Sequence, residues 1–127
     1  MPRIQLETFS NQYPGREYEI NIVCPEFTAL CPRTGQPDFG TINIKYAPDK
    51  NIIELKSLKL YIFSYRDQEI FHEHVVNAIL DDIVAVCDPI LCEIKGDFNV
   101  RGGIKTVVRA KYERQNIVSS EEKSSKI

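Results

Sequence analysis

Thr41-Ile42-Asn43-Ile44-Lys45-Tyr46 alternates polar and apolar residues with a period of two. Such alternation sends one row of side chains to a buried face and the other to an open one, and so predicts a half-buried strand. Upstream, Glu17-Tyr18-Glu19-Ile20-Asn21-Ile22 repeats the pattern. Residues 24–40 lie between the two runs and carry Pro25, Pro32, Gly35 and Pro37, which break regular structure and read as a connecting loop. Downstream of Pro48-Asp49 the period changes. Leu55, Leu58, Ile62 and Tyr65 recur at helical spacing over residues 54–65, and Val76, Ile79, Leu80, Ile83 and Cys87 do so over 72–87, where Pro89 stops the run. The short link between them makes the two helices neighbours. Period two then returns: Cys92, Ile94 and Phe98 interleave with Glu93, Lys95 and Asp97, Arg101-Gly102-Gly103 turns the chain, and Ile104 to Tyr112 alternates again.

The order strand, strand, helix, helix, strand, strand predicts an α+β domain with the helices on one face of an antiparallel sheet. A four-stranded sheet leaves two edges, and joining sister subunits edge to edge is one way to cover them. Residues 1–16 read as an N-terminal arm with little periodicity, 17–118 as the folded domain and 119–127, rich in Ser, Glu and Lys, as a disordered tail.

With 127 residues and 43% hydrophobic side chains, the chain is long enough for one cored domain. Sixteen basic against eighteen acidic residues give a net charge of -2, which offers no general attraction to nucleic acid or an anionic membrane. Neither a signal peptide nor a spanning segment is expected, so a cytoplasmic location follows. The four cysteines, Cys24, Cys31, Cys87 and Cys92, are expected to be free thiols.

Within residues 26–39, Cys31 and Asp38 admit two readings. A thiol on a loop is nucleophilic as its thiolate, and attack on an electrophilic carbon requires an acid, such as Asp38, to protonate the heteroatom that receives the electrons. Alternatively Cys31 packs in the core and Asp38 caps a turn, and the residue types alone favour this second reading. Cys24, Cys87 and Cys92 read as structural. His72 and His74 point to different faces of a helix, so no metal site is expected from them. Glu73 either opposes the helix dipole or grips the edge of a purine-like base. Lys56, Ser57 and Lys59 form a solvated helix face or hold cofactor phosphates, and Arg101-Gly102 is a hairpin turn or a phosphate contact. No G-x-G-x-x-G is present, which argues against a Rossmann cofactor site.

Glu54-Leu55-Lys56-Ser57-Leu58-Lys59-Leu60-Tyr61 resembles the signature of the NADPH-dependent 7-cyano-7-deazaguanine reductases, the QueF family. The stretch from Phe27 to Phe39 resembles that family's catalytic loop, and Phe71-His72-Glu73 and Arg101-Gly102-Gly103 match two further segments in the same order. Four ordered motifs are far more specific than one, and they reverse the preference for a structural Cys31. The resemblance implies a tunnelling fold whose subunits join into rings, commonly a decamer of two stacked pentamers. It also implies reduction of the nitrile of 7-cyano-7-deazaguanine to 7-aminomethyl-7-deazaguanine, on the route to queuosine in tRNA, by an enzyme that does not itself bind nucleic acid. Cys31 would form a covalent thioimide and Asp38 would donate the proton. Glu73 would hold the base with His72 alongside, and the Ile53-Glu54-Leu55 backbone would line the pocket. Lys56, Ser57, Lys59, Arg101 and Gly102 would hold NADPH, the last two from a neighbouring subunit. GTP cyclohydrolase I, a zinc enzyme on the same fold, is a poorer match, because Pro32, Arg33 and Thr34 stand where it needs histidines. A purine-binding ring without activity would not need both Cys31 and Asp38.

Overall fold

A computed structural model describes residues 5–115. A four-stranded antiparallel sheet is built from β2 (Ile20–Leu30), β3 (Pro37–Ala47), β5 (Leu91–Arg101) and β6 (Ile104–Glu113), in the order β2-β3-β5-β6. Between β3 and β5 come β4 (Asn51–Ile53), helix α1 (Leu55–Phe63), a 3-10 turn (Ser64–Asp67) and helix α2 (His72–Cys87). Short strand β1 (Thr8–Ser10) pairs with β4 in a separate two-stranded ribbon. The α+β reading and the antiparallel sheet are both present. The tail at 119–127 lies outside the described residues.

Alternation places Ile42, Ile44 and Tyr46 of β3 and Cys92, Ile94 and Phe98 of β5 on one face, all buried. The helices lie on that face, α1 against β2 and α2 against β5 and β6. Helix α2 contributes Val75, Val76, Ile79, Leu80, Ile83 and Cys87 to the same core. At roughly 1.5–3 kcal/mol for each large apolar side chain, this shared layer is the main force holding helices to sheet. Asp88, in the left-handed region at φ 48°, turns the chain out of α2, and Pro89 prevents its continuation. Among the described residues, no helix is long and apolar enough to cross a membrane.

Three local readings need correction. Residues 24–40 are not an open loop: β2 runs on to Leu30 and β3 begins at Pro37, which leaves a short turn. The strand was hidden because a bulge between Cys24 and Phe27 shifts the register and leaves Pro25 and Glu26 both exposed, interrupting the period of two. Strand β4 was too short to declare a period, and the helix predicted to Tyr65 tightens into the 3-10 turn at Ser64. Within the expected arm, Leu6 is buried, Asn11 N–H donates to Lys50 O at 2.8 Å, and Asn11 Nδ2 donates to Asp49 O at 2.7 Å.

Gly96 sits on the covered face of β5, where an added Cβ would meet Val76 Cγ2 at 2.6 Å and the Phe98 ring at 2.7 Å. The missing side chain lets the Phe98 ring lie along the sheet, and that ring is the floor of the site.

Candidate active site

The β2–β3 connection is closed by its own backbone: Cys31 N–H donates to Gln36 O at 2.8 Å, and Gly35 N–H donates to Cys31 O at 2.8 Å. Gly35 takes φ 72°, a conformation costly for any residue with a Cβ. The closed turn aims donors inward at sulfur. The Thr34 hydroxyl, then the Arg33 and Thr34 backbone N–H groups, hydrogen-bond the Cys31 thiol and hold its pKa below the ordinary cysteine range, against smaller opposing pushes from desolvation and then from the Asp38 charge. The other three thiols move the opposite way. Burial raises Cys24, takes Cys87 to about 11 and Cys92 to about 12. Cys31 is thus the thiol of the four that the fold favours as thiolate.

Asp38 is the second residue of β3 and faces the covered side of the sheet, 8% exposed. Its Oδ1 pairs with Arg101 Nε at 3.0 Å, and its Oδ2 lies 3.4 Å from His72 Nε2. That imidazole nitrogen is buried without a hydrogen-bond partner, so the approach to Asp38 is close but not bonded. The His72 ring stacks flat on Phe98, with centroids 3.8 Å apart and planes 2° apart. Arg101 ends β5. Its Nη1 donates to Gln36 Oε1 at 2.7 Å and its Nη2 to Pro37 O. Gly102 and Gly103 follow at φ 60° and 78°, the two left-handed positions of a tight hairpin, with open space around both.

Cys31, Asp38, His72 and Arg101 therefore converge at one end of the sheet. Other expected site residues lie elsewhere. Ile53 is buried, with its N–H donating to Tyr46 Oη at 3.1 Å. Ile53, Glu54 and Leu55 line a separate cavity of about 430 Å³ with Ile20, Ile22 and Tyr46, a set that includes neither Cys31 nor Asp38. Glu54 is the N-cap of α1: its carboxylate accepts from Lys56 N–H at 2.7 Å and Ser57 N–H at 2.8 Å, which holds its pKa below the usual carboxylate range. These backbone donors are not open to a phosphate, because a carboxylate already fills them. Ser57 is buried, and its hydroxyl accepts from Glu7 N–H at 2.9 Å and donates to Glu54 O at 2.8 Å, so it ties the arm to the helix start. Glu73 is exposed in the single chain, on the first turn of α2.

Lys59 borders a cleft of about 890 Å³ floored by Phe27, Leu60 and Phe63 and flanked by Phe39 and Asn99. Phe39 and Asn99 line it, but Cys31, Asp38, His72 and Arg101 do not. Its apolar floor suits a ring system and falls within the usual ligand-pocket size. Lys59 borders the cleft, and exposed Lys56 lies on the same helix, so α1 offers cations of the kind a phosphate-bearing dinucleotide such as NADPH requires; Arg101, also exposed, does not line the cleft.

Sequence reading passed over Thr34, Gln36, Gly96 and Phe98. A hydroxyl three residues beyond a turn cysteine was the one available signal for Thr34. The others are assembled by cross-strand register.

Comparison with known proteins bears directly on these motifs. The profile of the family described as QueF-like protein matches residues 37–117. The chain is 60% identical over 111 residues to the NADPH-dependent 7-cyano-7-deazaguanine reductase of Nitrosococcus oceani, covering 87% of this chain and 86% of that protein. It is 56% identical over 113 residues to the protein of the same name from Thermomicrobium roseum, covering 89% and 88%. The fold is similar to the crystal structure of the archaeosine synthase QueF-Like in the apo form, with a TM-score of 0.71 at 19% identity, covering 77% of this chain and 96% of that one. On this sequence similarity, carried through the strands and helices that hold Asp38, His72 and Arg101, the chain belongs to the QueF family.

Proposed function

We propose that this chain is an NADPH-dependent 7-cyano-7-deazaguanine reductase that turns the nitrile into an aminomethyl group, the product expected for queuosine biosynthesis. The observation that carries the reading is the Cys31 turn: the thiol most favoured as thiolate is near enough to Asp38 to feel its charge, in a chain 60% identical to a reductase of that name.

Cys31 Sγ adds to the nitrile carbon, and the nitrogen takes up a proton from Asp38, giving a thioimide. NADPH supplies hydride, two equivalents for the four-electron reduction. The remaining protons reach nitrogen through Asp38, and the C–S bond breaks to return Cys31. The His72 ring, held flat by Phe98, forms one wall of the pocket, and Glu73 takes the ring N–H and amino group of the base. Lys56, Lys59, Arg101 and the open Gly102 turn hold the phosphates, with Ser57 setting the start of α1. Because Ile53, Glu54 and Leu55 lie away from Cys31 in one chain, a complete pocket in this reading takes them from a neighbouring subunit. Exposed Leu55, Leu60, Phe63 and Phe39 supply apolar surface for that contact, consistent with a ring of tunnelling-fold subunits stacked as a decamer.

The test is NADPH oxidation with 7-cyano-7-deazaguanine, followed by absorbance and by mass of the product. Two NADPH consumed per aminomethyl product support the reading. Absence of oxidation in the intact oligomer contradicts it.

A further inference from the structure

Among the described residues, the Arg101 guanidinium contacts one short stretch, Gln36-Pro37-Asp38. The side chain is 46% exposed and stands at the root of a hairpin whose two glycines have open space around them. Of the two Asp38 oxygens, Oδ1 is paired with Arg101 Nε at 3.0 Å, and Oδ2 lies 3.4 Å from His72 Nε2 without a hydrogen bond. While Arg101 Nε holds Oδ1 the group is kept as an ion-paired carboxylate, and the guanidinium must withdraw before Oδ1 can carry a proton to a substrate nitrogen. An exposed guanidinium is also the group best shaped to take a phosphate bidentately.

We propose that Arg101 is a positioning residue exchanged between Asp38 and a phosphate of the co-substrate, so that arrival of the dinucleotide frees the acid. The proposal rests on the reading that NADPH is the reductant. In the free chain Arg101 restrains Asp38 and stiffens the turn that carries Cys31. In the loaded chain it serves the phosphate, and Asp38 is left with His72 and the substrate. The Arg101 hairpin supplies the reach, since two left-handed glycines form its turn and no neighbouring atoms crowd them.

Linkage gives a test that needs no turnover. If Asp38 and the phosphate compete for one guanidinium, removing the carboxylate must tighten binding by the factor the competition had imposed. NADP+ is the probe, titrated calorimetrically into the wild-type oligomer, Asp38→Asn, Arg101→Gln and the double variant. Losing a charge-assisted, half-exposed pair should tighten NADP+ binding to Asp38→Asn by roughly tenfold. In the Arg101→Gln background the same Asp38 change should shift affinity by less than about twofold. Equal tightening in both backgrounds would mean simple relief of charge repulsion and would overturn the exchange. Unchanged affinity in Asp38→Asn would overturn it as well while leaving NADPH as the reductant. Absence of NADP+ binding to every variant and to the wild type would instead remove the cofactor reading itself, and the exchange with it.

Discussion

Replacing Gly96 with Ala inserts one methyl group between helix α2 and the floor of the site. The added carbon would lie 2.6 Å from Val76 Cγ2 and 2.7 and 2.8 Å from two Phe98 ring carbons. Carbons in contact prefer about 3.5–4.0 Å, so each neighbour must yield by about 1 Å. Neither has room, since Val76 is 0% and Phe98 1% exposed. Overpacking of this kind costs about 1–3 kcal/mol. The gain from a less flexible unfolded chain, about 0.4–1 kcal/mol, is smaller and does not reverse the sign. The net cost is at most about 2.6 kcal/mol, so Gly96→Ala should lower Tm by up to about 10 °C. The Phe98 ring moves with the methyl group and carries the stacked His72 with it, so affinity for 7-cyano-7-deazaguanine should fall as well. Shortening the ring in Gly96→Ala/Phe98→Leu should recover part of the lost stability, with a coupling of about 0.5–3 kcal/mol in a double-mutant cycle. A Gly96→Ala protein as stable as the wild type, or strict additivity in the cycle, would refute the packing argument.

Three further outcomes follow from individual contacts. Thr34→Val removes the largest support of the Cys31 thiolate, so the pH midpoint of Cys31 alkylation by iodoacetamide should rise toward that of an ordinary cysteine, with the protein still folded by circular dichroism. Tyr61→Phe removes the hydroxyl that donates to Asp82 at 2.5 Å and pairs with Tyr65 Oη at 2.9 Å; urea denaturation should read a loss of about 1–3 kcal/mol, as for a buried hydrogen bond to a charged group. The Glu54 carboxyl is depressed by Lys56 and Ser57 N–H, so its contribution is complete above the usual carboxylate range and lost as pH falls through its lower folded value. The stability gap between wild type and Glu54→Gln should accordingly narrow as pH falls below the usual carboxylate range.

How much of this was readable in the chain depends on the range of the interaction. Period two in Thr41–Tyr46 and helical spacing from His72 to Cys87 are local, and both emerge as β3 and α2. Strand β2 escaped beyond Cys24 because its bulge exposes two consecutive residues and conceals the period. The roles of the motif residues divide in the same way. Cys31 and Asp38 meet because a hairpin joins them, and their spacing is visible in sequence. Arg101 reaches Asp38 across sixty-odd residues, through β3–β5 pairing that puts Gly40 opposite Phe98, and nothing local announces it. Ser57 reads as a phosphate contact because it stands at the helix entry, where backbone N–H groups point, and Glu54 reads as pocket lining only through the family resemblance. The carboxylate of Glu54 reaches those N–H groups first.

The most direct test of Cys31 as the nucleophile is intact mass spectrometry of the oligomer mixed with 7-cyano-7-deazaguanine and no NADPH. The account predicts a mass gain of one substrate per chain, mapped to Cys31 and absent in Cys31→Ala. An unchanged mass, or an adduct on Cys24 in place of Cys31, would contradict it.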